Sequence, residues 1–151
     1  SKPQCEGGVL SLGYTYSGHP VACAAALKNI ELMEREAICE HVQELGPYFY
    51  EKAQTLQELP IVGDVRGSHF MIGIELVADR NSKEGFAPDA ESAMRVFKRC
   101  MNRGVVVRPI GNLIVISPPL TLTQEQCDEI ITALYESIEE VAAEFRVAGL
   151  V

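Results

Sequence analysis

After Pro60 the apolar residues stop recurring at helical steps and run as strands instead, and this change of period narrows the folds open to the chain. Upstream, Ile38, Val42, Leu45, Phe49, Ala53 and Leu56 form one stripe at steps of three and four, the signature of an amphipathic helix. Downstream, Ile61 to Arg66 reads as a short strand, Gly67–Ser68 as a turn or bulge, and Phe70 to Val77 as a longer buried strand. The polar stretch from Asp79 to Asp89 reads as a loop. Ala90, Ala93, Met94, Phe97 and Met101 then mark a helix, closed by Gly104 as a left-handed cap. Val105 to Arg108 and Leu113 to Ser117 are expected as strands around a turn at Pro109–Ile110–Gly111–Asn112. Thr123 and Gln126 spell a capping box for a last helix with Cys127, Ile130, Ile131, Leu134, Ile138 and Phe145 on one face.

Ahead of all this stands "GYTYSGHPVACAAAL", Gly13 to Leu27. Ser17–Gly18–His19–Pro20 supplies a helix start, with polar candidates for the cap and a proline suited to the first turn. The helix is expected to reach about Glu36, with Leu27, Ile30 and Met33 at helical spacing. Gly46–Pro47 interrupts the second stripe, so a kink or a break is expected there. The order helix, helix, strand, strand, helix, strand, strand, helix predicts an α+β fold: a small, mostly antiparallel sheet covered by helices.

Bulk properties exclude several function classes. A formal charge of -8 leaves no basic face for nucleic acid. No apolar run is long enough for a membrane span. The five cysteines, Cys5, Cys23, Cys39, Cys100 and Cys127, are scattered with no CxxC pair, and most fall on expected apolar faces, which fits a reducing, cytoplasmic setting. His19, His41 and His69 have no partners at metal-ligand spacing, so no metal site is expected, and His41 is placed on the polar side of its helix. No GxSxG, P-loop or GxGxxG is present. Glu31, Glu34, Glu36, Glu136, Glu139 and Glu140 read as solvated helix charges.

Two places suit a charged ligand. At Gly13–Pro20 the helix start offers free amides and positive dipole, Thr15 and Ser17 add hydroxyls, and the glycines let a backbone come close to a phosphate. The alternative is that Ser17 only caps the helix and Thr15 fills a turn. Arg108 stands before the apolar hairpin arm "LIVISPPL". Either it is desolvated and grips a carboxylate, or it turns out to solvent at a strand end.

With these residues in view the sequence resembles the class III aminotransferases, pyridoxal-phosphate enzymes of fold type I. "GYTYSGHPVACAAAL" is similar to the segment after that family's catalytic lysine region, and TYSGHP to its ω-amino acid:pyruvate and diamine transaminase branch. "DVRGSHFMIGIEL" (64–76) resembles the VRG…GIEL stretch, and "GVVVRPIGNLIVISPPLTLT" (104–123) the arginine–hairpin–PPL stretch. The resemblance implies that Thr15 reaches the phosphate of the partner subunit's cofactor in a homodimer. It implies that Arg108 binds the substrate carboxylate, swinging aside when there is none, and that Arg66 is structural. Ser68–His69 departs from the glycine and aliphatic residues usual after VRG, which leaves fine specificity open.

The resemblance also implies a Schiff-base lysine. The lysines here are Lys2, Lys28, Lys52, Lys83 and Lys98, and none sits in such a context, so this chain is expected to hold no catalytic residue of its own. It reads as the C-terminal portion of a longer enzyme: residues 1–17 a lead-in, 18–36 an inter-domain helix, and 37–151 the small domain. Such an enzyme would move an amino group from an amine or ω-amino acid to a 2-oxo acid, and the fragment alone would not turn over. The rival reading is a stand-alone α+β module that binds a small carboxylate or regulates without catalysis. A third is a helix that drives self-association through its small-residue face.

Overall fold

The structure is a computed structural model that describes residues 13–151. Of the lead-in expected over residues 1–17, residues 1–12, with Cys5 and Lys2, lie outside the described residues. The chain divides into two compact units, with the boundary between Ala37 and Ile38.

In the first unit a turn over Thr15–Gly18 leads into helix α1, Pro20–Arg35. Pro20 occupies the first turn as expected, where its missing N–H costs nothing. Ser17 does not cap the helix: its Oγ accepts from the Tyr14 amide at 2.9 Å, while the Ser17 amide donates to the Tyr14 carbonyl at 2.9 Å. His19 holds the cap position with no side-chain cap bond, and no residue of α1 is buried.

The second unit opens with α2, Ile38–Gln54, which runs through Pro47 unbroken. The expected break does not occur: the carbonyl left without a donor, that of Gln43, lies on an exposed turn, where solvent can satisfy it. Leu56, expected in this helix, sits in a 3-10 turn at Thr55–Glu58.

Strands β1 (Val62–Ser68), β2 (Met71–Asp79), β3 (Glu84–Gly85), β4 (Arg108–Ile110) and β5 (Leu113–Ile116) form one antiparallel sheet in the order β1-β2-β5-β4, with β3 on β2. Gly67 and Ser68, expected as a turn, pair with Ile72 and Met71, and the reversal falls at His69–Phe70. Within the expected loop, Glu84–Gly85 pairs with Asp79 and Val77. Val105–Val107 is not strand: the Val105 amide closes the preceding helix end on the Cys100 carbonyl, and Arg108 begins β4 rather than ending a strand. Pro109 and Ile110 belong to β4, so the hairpin turn shortens to Gly111–Asn112, with Gly111 at φ +59°.

Helices α3 (Ser92–Asn102) and α4 (Gln124–Val147) join α2 over one sheet face. That face carries Val65, Ile72, Ile74, Leu76, Ile114 and Ile116, all buried, against Phe49, Leu134, Ile138 and Phe145. Gly104 takes φ +80° after α3, and the Thr123–Gln126 capping box is formed at α4, both as expected. Glu136 and Glu140 are not free surface charges. Arg103 donates to Glu136 at 2.9 Å and to Glu140 at 2.6 Å, Arg99 to Glu144 at 2.6 Å, and Arg95 also to Glu144, which laces α3 to α4. His41 is half-buried rather than on a polar face, its Nε2 donating to the Leu122 carbonyl at 2.8 Å.

Candidate functional site

Strand register sets the geometry of the sheet face opposite the helices. Arg66 pairs with Gly73, Gly73 with Val115, and Val115 with Arg108, so one row crosses all four main strands with an arginine at each end. Three strand spacings put the two Cα atoms about 14 Å apart. The adjacent row holds Asp64, Glu75, Leu113 and Ile110.

The two arginines differ in their surroundings. Arg66 donates through Nη1 to Glu75 at 2.5 Å and to Asp64 at 3.1 Å. These hydrogen bonds, the one to Glu75 first, push its guanidinium pKa above the ordinary arginine value. Arg108 is exposed on the edge strand and has no ion pair or hydrogen-bonded side chain among the described residues. It is therefore not desolvated in this structure, and its guanidinium fork remains available to a carboxylate arriving over the Gly73–Val115 floor. Sequence reasoning missed the Asp64–Arg66–Glu75 cluster, whose only sign in the sequence is the short spacing Asp64-x-Arg66.

Thr15 belongs to the first unit. It sits in the turn over Thr15–Gly18, exposed, and its hydroxyl has no partner among the described residues. Gly18 takes φ +77°, and Tyr14 and Tyr16 are both largely exposed. An uncapped helix start beside a free hydroxyl is a donor set that fits a phosphate.

Lys28 pairs with Glu31 and Lys52 with Asp128, both on helices, and Lys83 lies in the turn before β3. No lysine among the described residues stands on a strand. A cleft of about 610 Å³ lies elsewhere, beside Arg103, Asp128, Thr132 and Glu136, and contains neither Arg108 nor Thr15.

Residues 4–138 match the family profile described as Aminotransferase class-III. The chain belongs to the class-III aminotransferase family. Its similarity to the adenosylmethionine-8-amino-7-oxononanoate aminotransferase of Methanocaldococcus jannaschii is 41% identity over 128 residues, which covers 85% of this chain and 28% of that enzyme. With the putrescine–pyruvate aminotransferase of Pseudomonas aeruginosa it shares 38% identity over 139 residues, 91% of this chain and 30% of the relative. Among solved structures, the PMP-bound aminotransferase from Vibrio fluvialis superimposes with a TM-score of 0.83 at 38% identity, covering 90% of this chain and 30% of that one. The class-III aminotransferase chain described here thus spans about 30% of the length of the relatives it matches. Its α+β layer is the fold those transaminases share over this region, and the reading as an unrelated carboxylate-binding module is set aside. No helix among the described residues is long and apolar enough to cross a membrane.

Proposed function

We propose that the full-length protein carrying these residues is a pyridoxal-phosphate-dependent aminotransferase that moves an amino group from an amine or ω-amino acid to a 2-oxo acid. Arg108 binds the carboxylate of the acceptor. The observation that carries this reading is the contrast within one sheet row: Arg66 is satisfied by two carboxylates, whereas Arg108 has none among the described residues. A bidentate carboxylate on Arg108 would hold the acceptor in one orientation over Val115 and Gly73, and would shed its water only when seated. Without a carboxylate to hold, the guanidinium is free to rotate into solvent on its flexible stem.

Thr15 donates its hydroxyl to the cofactor phosphate, helped by amides at the start of α1. On this reading the full-length enzyme is a homodimer, and that phosphate belongs to the partner subunit's site. Pyridoxal phosphate, when bound, supplies the electron sink that amino transfer needs. The lysine that would hold it belongs, on this reading, to the part of the relatives' length that this chain does not span, so these 151 residues alone would not turn over. Scattered cysteines without a pairing motif support a reducing compartment such as the cytoplasm.

The test is amino transfer by the purified full-length enzyme from a diamine or ω-amino acid to pyruvate. Alanine formation that requires added pyridoxal phosphate is expected. Cofactor binding with no amino transfer to any 2-oxo acid would overturn the proposal.

A further inference from the structure

The tip of the β4–β5 hairpin is fastened from three sides at one residue. Asn112 accepts at its backbone carbonyl from the Leu76 amide of β2 at 2.8 Å. Its side-chain Oδ1 accepts from the Ser92 hydroxyl at 2.7 Å, and its Nδ2 donates to the Phe86 carbonyl at 2.8 Å. Ser92 is fully buried in the first turn of α3, and Phe86 is buried against Phe145 with ring centroids 4.7 Å apart. Gly85 completes the socket: a Cβ there would lie 2.7 Å from the Asn112 Nδ2, so the amide fits only because residue 85 is glycine.

Such a socket is more than a two-residue turn needs, since Gly111 alone supplies the positive φ. What the socket holds is the edge strand. β4 is three residues long, pairs among the described residues only with β5, and presents Arg108 at its start. A short edge strand pivots on its turn unless the turn is held, and a swing of the strand displaces the guanidinium at its far end.

We propose that Asn112 is a positioning residue for Arg108: by clamping the hairpin tip to Ser92 and Phe86, it sets where the guanidinium meets the acceptor carboxylate. This rests on the reading of Arg108 as the carboxylate grip. Asn112 touches no substrate. It acts through the backbone of Gly111, Ile110 and Pro109.

The experiment measures kcat and KM of the full-length holoenzyme with pyruvate and with a carboxylate-free aldehyde as alternative acceptors. Asn112→Ala is expected to raise the pyruvate KM and to lower the pyruvate-over-aldehyde ratio of kcat/KM about tenfold, with pyruvate kcat changed less than KM. Ser92→Ala removes one of the two side-chain bonds and is expected to lower the ratio by about threefold. It also carries the test if Asn112→Ala does not fold. In an Arg108→Ala background, Asn112→Ala should change the ratio by less than about twofold, because the two residues act as one unit. A merely structural role would lower both acceptors together. An unchanged ratio in Asn112→Ala and Ser92→Ala, with a fall in Arg108→Ala, would overturn the proposal and leave Arg108 as the grip. An unchanged ratio in Arg108→Ala itself would overturn both.

Discussion

Arg66 and Arg108 stand at opposite ends of one cross-strand row, and among the described residues only Arg66 is engaged by acidic side chains. At β1 the arginine neutralises the facing carboxylates of Asp64 and Glu75, and at β4 the arginine is exposed and without an ion pair among the described residues.

From that division, Arg66→Ala should act on stability and leave acceptor selectivity alone. Asp64 and Glu75 are register partners, so without Arg66 two like charges face each other. The side chain is about half exposed, which holds the cost to about 1 kcal/mol or less. Thermal unfolding at low and high salt checks this, the loss being smaller at high salt.

Thr15→Ala should weaken binding of pyridoxal phosphate, and Thr15→Ser should restore it. Losing one hydrogen bond to a charged phosphate corresponds to a roughly ten- to hundredfold rise in Kd. Equilibrium dialysis of the full-length enzyme reads it directly, and unchanged affinity in Thr15→Ala would remove the hydroxyl from the phosphate site.

Gly46 and His69 should couple. A Cβ at residue 46 would lie 2.5 Å from His69 Cδ2 and 2.6 Å from its Cβ, so Gly46→Ala forces the imidazole out of place. The cost is about 1–3 kcal/mol. His69 itself adopts φ +50°, which a glycine takes without strain. Adding His69→Gly to Gly46→Ala should therefore recover most of the loss, and a double-mutant cycle by denaturant unfolding measures the coupling.

Asp128 should give the enzyme a pH-dependent contribution to stability. The hydrogen bond from Tyr48, at 2.7 Å, holds its carboxyl below the usual aspartate range against the opposing effect of desolvation, and the Lys52 ammonium at 3.3 Å adds to the lowering. The folded state thus binds the proton less readily than the unfolded state. The contribution is complete above the unfolded value of about 3.9 and fades as pH falls through the lower folded value. Unfolding of the wild type and Asp128→Asn should differ at pH 7 and converge in acid. A gap that widens in acid would contradict the assignment.

The parts of this fold that follow local rules could be read from the sequence. The capping box at Thr123 and Gln126, the left-handed Gly104 and the buried stripe through Leu134, Ile138 and Phe145 each depend on residues within a turn or two of one another. Strand limits did not follow, because pairing partners set them. Val106 is as apolar as any strand residue, yet a longer β4 would bring it opposite Ser117, where Pro118 and Pro119 end the ladder for want of amide donors. The first reversal moved to His69 because a histidine at positive φ leaves no local signal. Thr15 and Arg108 were each marked by motif resemblance and by their chemistry. The clamp on Asn112 was invisible, since Ser92 and Phe86 stand 20 and 26 positions away and only the folded sheet brings them together.

The most direct measurement is the kcat/KM of Arg108→Ala in the full-length enzyme with pyruvate and with an aldehyde lacking a carboxylate. Losing a charge-assisted bidentate contact should reduce the pyruvate value on the order of a hundredfold while the aldehyde value stays within about twofold. Equal losses with both acceptors, or no loss with pyruvate, would contradict Arg108 as the residue that holds the acceptor.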